Sequence, residues 1–406
     1  MRRVLAILLA ALLSGAAVPG SNDPAITVAV VATLTGPHAL AGQDVVDGFG
    51  LALKQLGSRF ANQEVRLVVA NDRGSPDVAR QEVKRLLARE RVNFVLTAMS
   101  PGSLAATLPA LVEAKVFVLN LAPAPAAMSG AGCGMWLFDL GGQADGIHEA
   151  AGAQMAADQI RKVVVVGPEG PLGRDAAAAL KRAFPGEVLA LLTARHGATT
   201  YDDELARIRE LKPDAVYDLL TGGMNVAFVR AWDHKGLKGE MGLYAPWFGF
   251  ERAMLPAMGD SALDTVTLGI WSGDLDNPLN RRFGQDYELE VGRPASTWAA
   301  LGYDSANLLD GALKAAAAAK THDVDFLRAA LRHAEFQSVR GSFRFNSNHF
   351  PITTYWTRKV GRDAKGRFAN ETRGVALKDW RDHQAATCPM RWEEPPPPAK
   401  VPAKKP

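Results

Sequence analysis

Metal chemistry is the first possibility that the sequence offers, because His148 and Glu149 would begin a zinc-hydrolase motif. That motif needs a second histidine four positions after the first, so that both ligands lie on one face of a helix. Gly152 occupies that position. The eight histidines are also scattered without the spacing of metal ligands. We therefore expect no metal site and no metal-dependent reaction.

The glycine-rich and serine-containing loops carry no catalytic signature either. Gly167, Gly170 and Gly173 match a phosphate-binding loop only in their number of glycines, since neither the Gly-Lys-Ser/Thr ending nor the dinucleotide spacing is present. A hydrolase on a doubly wound sheet would need a Gly-x-Ser-x-Gly turn, and the sequence contains none. The sequence therefore predicts a protein that is not an enzyme and that uses no cofactor.

The stretch from Asn93 to Ala124 is the most informative single unit. It consists of an apolar run, a loop of small residues, a helix-compatible segment and a second apolar run. This order predicts a βαβ unit whose parallel strands are buried on both faces. Ser100 followed by Pro101 is typical of a helix start. A helix N-terminus at the carboxyl end of a strand favours an anionic ligand, although the pair can equally be a simple surface cap.

The same alternation extends through most of the chain. Strands are predicted at 26–31, 65–70, 163–166, 188–192 and 215–220, and helices at 41–56, 78–89, 141–160, 174–184, 202–211 and 226–235. Such alternation predicts an α/β fold with two doubly wound parallel-sheet lobes. An alanine-rich helix at 297–319 is expected to return and cover the first sheet. Further strands are predicted at 340–345, 352–360 and 368–377.

The two ends of the chain differ in composition from its body. Residues 1–22 begin with Arg2 and Arg3, continue as a short apolar run and end in small residues, which predicts a cleavable signal peptide and export. An uncleaved anchor is the alternative. Residues 391–406 are rich in Pro and Lys and are predicted to be disordered. The formal charge of +3 comes from these ends, so no basic face for nucleic acid is expected.

Two cysteines, Cys133 and Cys388, are present in the chain. In an oxidising compartment an isolated pair is expected to form a disulfide, which would tie the C-terminus to the first third of the chain. If the chain is not exported, both are simply small buried residues.

Several segments spread over residues 25–360 carry a family resemblance. They are 26–28 with 34–37, 42–44 with Gly48, 68–72 with 75–76, the Ser100 loop, 162–167 with Gly173, 211–216 and 341–346. In order and spacing they resemble the type I periplasmic solute-binding proteins of the branched-chain amino acid (Leu/Ile/Val) ABC transporter family. The resemblance implies two lobes joined by a hinge of three crossovers, with a ligand in the cleft between them.

The resemblance also implies boundaries, location and partners. The first lobe is expected at 23–139 plus 268–342 and the second at 140–267 plus 343–390. The protein is expected to be a periplasmic, monomeric component of an ABC importer, which captures a solute by hinge closure and delivers it to permease and ATPase subunits. A periplasmic ligand-sensing module with the same fold is the alternative.

The ligand site of the family transfers only in part. On the first lobe, the resemblance implies ligand contacts from Ser100, Ser103, Ala122 and Ala124. On the second lobe, Thr221 stands where the family has an aromatic residue. The acidic residue that holds the α-ammonium of an amino acid falls near Trp247 and is missing. Because a buried ammonium without a counter-charge is costly, a free amino acid is disfavoured as the ligand.

A narrower resemblance concerns the solute. Cys133, 136–139, the Asn-His-Phe-Pro-Ile run within 344–352, and 388–390 are similar to the subgroup that binds aromatic acids such as benzoates and phenylpropanoids. Four rings are candidates to clamp such a ligand, and about half of them are expected in the core: Trp136, Phe138, Trp247 and Phe248. The predicted site includes Phe138 and Trp247. The predicted solute is a small carboxylate, with an aromatic acid preferred and a branched-chain or other amino acid as the alternative.

Overall fold

A computed structural model describes residues 25–391 of the chain. The predicted signal peptide and all but the first residue of the predicted disordered tail lie outside the described residues. The first sheet contains β1 (Ile26–Ala32), β2 (Arg59–Phe60), β3 (Gln63–Asn71), β4 (Phe94–Ala98), β5 (Phe117–Asn120) and β6 (Leu137–Asp139). Its strand order is β2-β3-β1-β4-β5-β6. All neighbours are parallel except the short β2–β3 pair.

The second sheet contains β7 (Lys162–Pro168), β8 (Glu187–Ala194), β9 (Ala215–Asp218), β10 (Gly242–Pro246), β11 (Val266–Gly269), β12 (Thr353–Arg362) and β13 (Phe368–Trp380). Its order is β13-β12-β11-β10-β9-β7-β8. The strands from β7 to β11 pair in parallel, and β12 and β13 add an antiparallel edge. The predicted two-lobed, mainly parallel α/β fold is therefore confirmed.

Helices cover both faces of the sheets. They are α1 (Ala39–Gln55), α2 (Pro76–Arg89), α3 (Pro101–Glu113), α4 (Ala126–Ser129), α5 (Ala144–Ala157), α6 (Pro171–Ala183), α7 (Asp202–Leu211), α8 (Gly222–His234), α9 (Leu255–Met258), α10 (Pro278–Val291), α11 (Thr297–Ala318) and α12 (Val324–His333). Strand β1 is consequently buried along its whole length. Its continuous apolar sequence is the expected signature of a parallel strand covered on both faces.

The long helix α11 returns to the first lobe, as predicted. A methyl group added at Gly48 of α1 would lie 2.1 Å from the carbonyl oxygen of Ala299, and one at Gly302 would lie 2.3 Å from that of Val45. The two helices therefore approach so closely that only glycine fits at these positions. In α10, the Tyr287 hydroxyl donates to Asp44 of α1 at 2.9 Å, which places this helix on the first lobe as well.

Within residues 25–391, three crossovers connect the helices and strands of one lobe to those of the other, through 140–143, 270–277 and 334–352. The strand predicted at 340–345 is wrong, because this part of the third crossover forms only isolated bridges. The side chain of Arg340 forms hydrogen bonds within this crossover region. Its guanidinium donates to Asp304 and to the carbonyl oxygen of Leu140, both at 2.9 Å. Strand β11 runs to Gly269, so the predicted lobe boundary between 267 and 268 falls inside a strand.

No helix in the described part of the chain combines the length and the apolar character needed to span a bilayer.

Candidate functional site

The loops at the carboxyl ends of β1 and β3 form a rigid border on the first lobe. The Thr33 hydroxyl donates to Asp72 at 2.7 Å, and the backbone N–H of Leu34 donates to Asn71 at 3.0 Å. These bonds fix the two loops relative to each other. In open α/β sheets the carboxyl ends of the strands are the usual place for a ligand.

Ser100 begins α3, as predicted. Its Oγ accepts a hydrogen bond from the N–H of Ser103 at 3.1 Å, and Ser100 itself is exposed. Ser103 is fully buried, and its hydroxyl lies 3.1 Å from that of Ser100. The geometry leaves Ser100 available to a solute and gives Ser103 a supporting position beneath it. The direct ligand contact predicted for Ser103 does not fit its complete burial.

The loop after β5 contains Ala122 and Ala124, but the two residues differ. The carbonyl oxygen of Ala122 accepts from the side chain of Asn120, which also bonds Asp139. Ala124 is fully buried. Its N–H donates to Gly142 at 3.0 Å and its carbonyl accepts from Ala144 at 2.9 Å. Because both backbone groups of Ala124 are used by the first crossover, we remove Ala124 from the site.

Asp139 anchors this first crossover. Its carboxylate accepts from the Asn120 side chain at 2.6 Å and from the backbone N–H of Gly142 at 2.5 Å. Complete burial raises the pKa of Asp139 well above its usual range, against the opposing effect of these hydrogen bonds. The carboxyl group therefore belongs to the hinge and is not exposed to a solute.

Thr221 lies at the start of α8 on the second lobe. It is partly exposed, and its side chain makes no capping hydrogen bond. The next residue, Gly222, has a φ of +58°. A methyl group there would lie 3.5 Å from both Pro37 and His38, so the two lobes meet at this point. The predicted position of Thr221 at the interlobe cleft is consistent with this contact.

Trp247 lies directly after β10, and it joins a cluster of rings that spans both lobes. Its ring centroid is 5.7 Å from that of Phe248 and 4.8 Å from that of Trp298. Trp298 is the second residue of α11 on the first lobe and is partly exposed, whereas Trp247 is only 1% exposed. We call Trp247, Phe248 and Trp298 the cleft aromatic cluster.

Glu251, like Trp298, was not predicted from the sequence to lie at the site. It is a buried carboxylate four positions after Trp247. One oxygen accepts from the N–H of Thr297 at 3.0 Å and the other from the Thr297 hydroxyl at 2.7 Å. Burial raises the pKa of Glu251 above its usual value. Both oxygens are thus engaged by the first lobe, next to the cleft aromatic cluster.

The sequence contains only weak indications that Trp298 and Glu251 lie at the lobe junction. Trp298 stands at the start of a helix that was predicted from its alanine content, and nothing local indicated that this end reaches the second lobe. Glu251 follows the aromatic run at 247–250 and reads as an ordinary loop residue. Their pairing depends on the return of α11, which is a tertiary feature.

Phe138 requires a correction. It is fully buried, with its ring stacked on His349 at 3.9 Å and T-shaped against Phe345 at 5.4 Å. Phe117 lies 6.2 Å away. We call these four residues the core aromatic cluster. Its members surround Phe138 from β5 and from the third crossover, so Phe138 supports the first lobe and is removed from the site.

Trp136 is the second ring outside the cleft. It packs 4.8 Å from Phe117, and the guanidinium of Arg328 lies 5.0 Å from its centroid. Of the four rings considered from the sequence, Trp247 and Phe248 therefore lie at the lobe junction, and Trp136 and Phe138 pack against the core of the first lobe.

Cys133 and Cys388 form a disulfide, with their Cα atoms 5.6 Å apart. No group of three or more His, Cys, Asp or Glu side chains within residues 25–391 is arranged to hold a metal ion.

A cavity of about 240 Å³ adjoins Glu251 near the second crossover and is also lined by Arg252, Asp274 and Arg358. None of the residues predicted for the solute site lines it.

Comparison with known proteins agrees with the two-lobed fold. The family model described as "Periplasmic binding protein" matches residues 25–366. The Leu/Ile/Val-binding protein homolog 6 of Brucella melitensis is 25% identical over 360 residues, which are 85% of this chain and 90% of that protein.

Two solved structures are similar in fold. An ABC transporter solute-binding protein from R. palustris in complex with benzoate has a TM-score of 0.82 and 24% identity, and covers 90% of this chain and 100% of its own. Another from R. palustris, in complex with 4-hydroxybenzoate, has a TM-score of 0.80 and 22% identity, with 89% and 99% covered. With the family model matching most of its length, this chain belongs to the periplasmic binding protein family.

Proposed function

We propose that this protein captures a small aromatic carboxylate in the cleft between its lobes and delivers it to an ABC importer. Hinge closure around the solute would present a closed form to the permease and ATPase subunits, since a ligand shifts a hinge toward the state that it binds better. The role is binding and not catalysis. Support comes from the family and from the R. palustris proteins, whose structures contain benzoate and 4-hydroxybenzoate.

The cleft aromatic cluster is the observation that carries this proposal. Trp247 and Phe248 come from the second lobe and Trp298 from the first, so the partly exposed Phe248 and Trp298 offer aromatic surface from both lobes to a solute. Aromatic pairs in offset or edge-to-face geometry contribute free energy beyond simple burial. A binding site assembled from both lobes is also the arrangement that couples solute binding to closure.

The predicted site contains no carboxylate that pairs with the ammonium group of an amino acid. The acidic residue that the family resemblance implies falls near Trp247 and is missing there, and nearby Glu251 is engaged at both oxygens by Thr297. An ammonium in this cleft would lose its hydration without gaining a counter-charge. A carboxylate without an ammonium avoids that cost, and Ser100, Thr221 and the Ala122 loop would provide its polar contacts.

A branched-chain amino acid remains the second candidate. The Brucella melitensis relative is named for binding of Leu, Ile and Val and matches 85% of this chain. If this candidate is correct, Glu251 must turn away from Thr297 to receive the ammonium.

The proposal includes location and assembly. We propose a periplasmic protein that is exported by a signal peptide at 1–22 and acts as a monomer, with lobes bounded by the three crossovers. The Cys133–Cys388 disulfide fits an oxidising compartment.

A thermal-shift screen tests the proposal. The protein is first unfolded and refolded to remove any bound solute, and then heated with benzoate, 4-hydroxybenzoate, L-leucine or L-valine. A ligand that binds only the folded state raises the melting temperature by mass action. We expect the two aromatic acids to raise it and the amino acids to leave it unchanged. A rise with leucine or valine alone would contradict the proposal and favour the second candidate.

A further inference from the structure

The C-terminal segment crosses from one lobe to the other. Strand β13 ends at Trp380 in the second lobe, and eight positions later Cys388 is bonded to Cys133, which lies just before β6 in the first lobe. We call residues 381–388 the C-terminal strap. It is a covalent connection between the lobes in addition to the three crossovers.

The strap is fixed to the second lobe through Glu149 of α5. The Trp380 indole donates to the Glu149 carboxylate at 2.7 Å, and the His383 ring lies 3.0 Å from the same oxygen. The other oxygen accepts from Arg182 of α6 at 2.6 Å. Three side chains therefore converge on one largely buried carboxylate, which orients the start of the strap.

The strap is also fixed to the first lobe and to the third crossover. The side chain of Asn348 donates to Asp382 at 2.7 Å and to the carbonyl oxygen of Ser129 in α4 at 2.8 Å. A methyl group at Gly130 would lie 2.7 Å from the hydroxyl of Thr387, so the strap packs directly on the α4 turn. The disulfide thus secures a segment that is already packed at the hinge.

We infer that the strap and its disulfide act as a fourth hinge connection, which limits how far the lobes open and so favours solute capture. Three adjacent crossovers allow rotation, and a further link held at a separate point removes part of that freedom. A narrower open ensemble loses less conformational entropy on closure, so the solute binds more tightly. The gain in affinity rests on the proposed function, whereas the restraint on opening concerns the protein alone.

The test begins with the ligand-free protein. Small-angle X-ray scattering would compare the wild type with the double variant Cys133→Ser/Cys388→Ser. We expect a larger radius of gyration in the double variant. We also expect its dissociation constant for 4-hydroxybenzoate to rise by at least about fivefold, the lower end of typical couplings between sites. An unchanged radius of gyration in a folded double variant would overturn the inference.

A second pair of variants keeps the disulfide, and it tests the restraint on lobe opening if the double variant fails to fold. An insertion of (Gly-Ser)₃ between Ala385 and Ala386 lengthens the strap, and the same insertion after Arg391 lies outside the loop that the disulfide closes. Only the first insertion is expected to enlarge the ligand-free protein. Equal radii for the two insertions would contradict a restraint by the strap. Enlargement without binding of any aromatic acid would support the strap and contradict only the proposed solute.

Discussion

The two aromatic clusters of this protein differ in where their packing partners come from. The core aromatic cluster surrounds Phe138 with residues from β5 and the third crossover, whereas the cleft aromatic cluster joins Trp247 and Phe248 to Trp298 of the other lobe. Phe138 is fully buried, while Phe248 and Trp298 keep partly exposed surface. A ring that packs against the opposite lobe can therefore contact a solute, whereas a ring enclosed by β5 and the third crossover stabilises its own lobe.

The position of each strand explains this difference. Strand β6 is an edge strand of the first sheet, and the third crossover covers it, with the carbonyl oxygen of His349 accepting from the N–H of Asp139 at 2.9 Å. Strand β10 is central in the second sheet, and its carboxyl end faces the returning helix α11. A central parallel strand that ends at a lobe junction is a typical place for a ligand.

The largest expected effect is on stability, at the core aromatic cluster. Phe138→Ala should lower the free energy of unfolding by about 3–5 kcal/mol, because it removes a fully buried ring and leaves a cavity. Urea unfolding measures this loss. The dissociation constant for 4-hydroxybenzoate, taken on the folded fraction by titration calorimetry, should stay within about twofold of wild type. A tenfold weaker affinity would return Phe138 to the site.

The cleft aromatic cluster should show the opposite pattern. Trp298→Ala should weaken binding of 4-hydroxybenzoate by about 2 kcal/mol, or roughly thirtyfold, since tryptophans that contact a ligand are common hot spots. The loss of stability should be smaller than for Phe138→Ala, because Trp298 is partly exposed. Trp136→Ala is the matched control, as another partly exposed tryptophan of the first lobe, and should leave affinity unchanged. Equal affinities for the Trp298 and Trp136 variants would contradict the assignment.

The core aromatic cluster should also make stability sensitive to acid. Burial lowers the pKa of His349 to about 3, so on acidification the unfolded chain binds a proton that the folded protein does not. Stability from this residue is present above pH 6.5 and is lost as pH falls toward 3, by about 2 kcal/mol at pH 5. His349→Gln should show a shallower decline in urea unfolding between pH 7 and pH 5. An identical decline would mean that His349 does not contribute.

The smallest effect is expected at the polar rim of the cleft. Ser100→Ala removes the cap of α3 and should cost about 1 kcal/mol of stability. It should also weaken 4-hydroxybenzoate by a few-fold, since one hydroxyl contact is lost. Ser75→Ala is the control, because Ser75 begins α2 without a capping hydrogen bond and should change neither quantity. Equal stability losses in both variants would show that the Ser100 cap has no special value.

The sequence predicted the architecture well, because the apolar periodicity of a strand or helix is contained in its own segment of the chain. The apolar run of β1 and the Ser-Pro start of α3 both appear where they were expected. The site was harder to predict, because it depends on which elements face each other across the lobes. Nothing near Phe138 in the sequence shows that His349 will cover its ring. Likewise, Glu251 and Thr297 are 46 positions apart, and only the return of α11 brings them together.

The expected behaviour of Trp247 also changes once its burial is known. From the sequence, Trp247 is predicted to be a site residue that clamps the ligand. At 1% exposure, Trp247→Ala should lower both, since a large buried side chain is lost along with a ligand contact. Trp298 is therefore the better position for separating the two effects.

The most direct test of the central proposal compares two solutes that differ only in an ammonium group. Titration calorimetry of the refolded, solute-free protein would measure 3-phenylpropanoate against L-phenylalanine. Both share the ring and the carboxylate, and only the second carries the ammonium that this cleft is proposed not to accommodate. We expect heat of binding with 3-phenylpropanoate and at least about a hundredfold weaker binding of L-phenylalanine. Tighter binding of L-phenylalanine would contradict a carboxylate site without an ammonium partner.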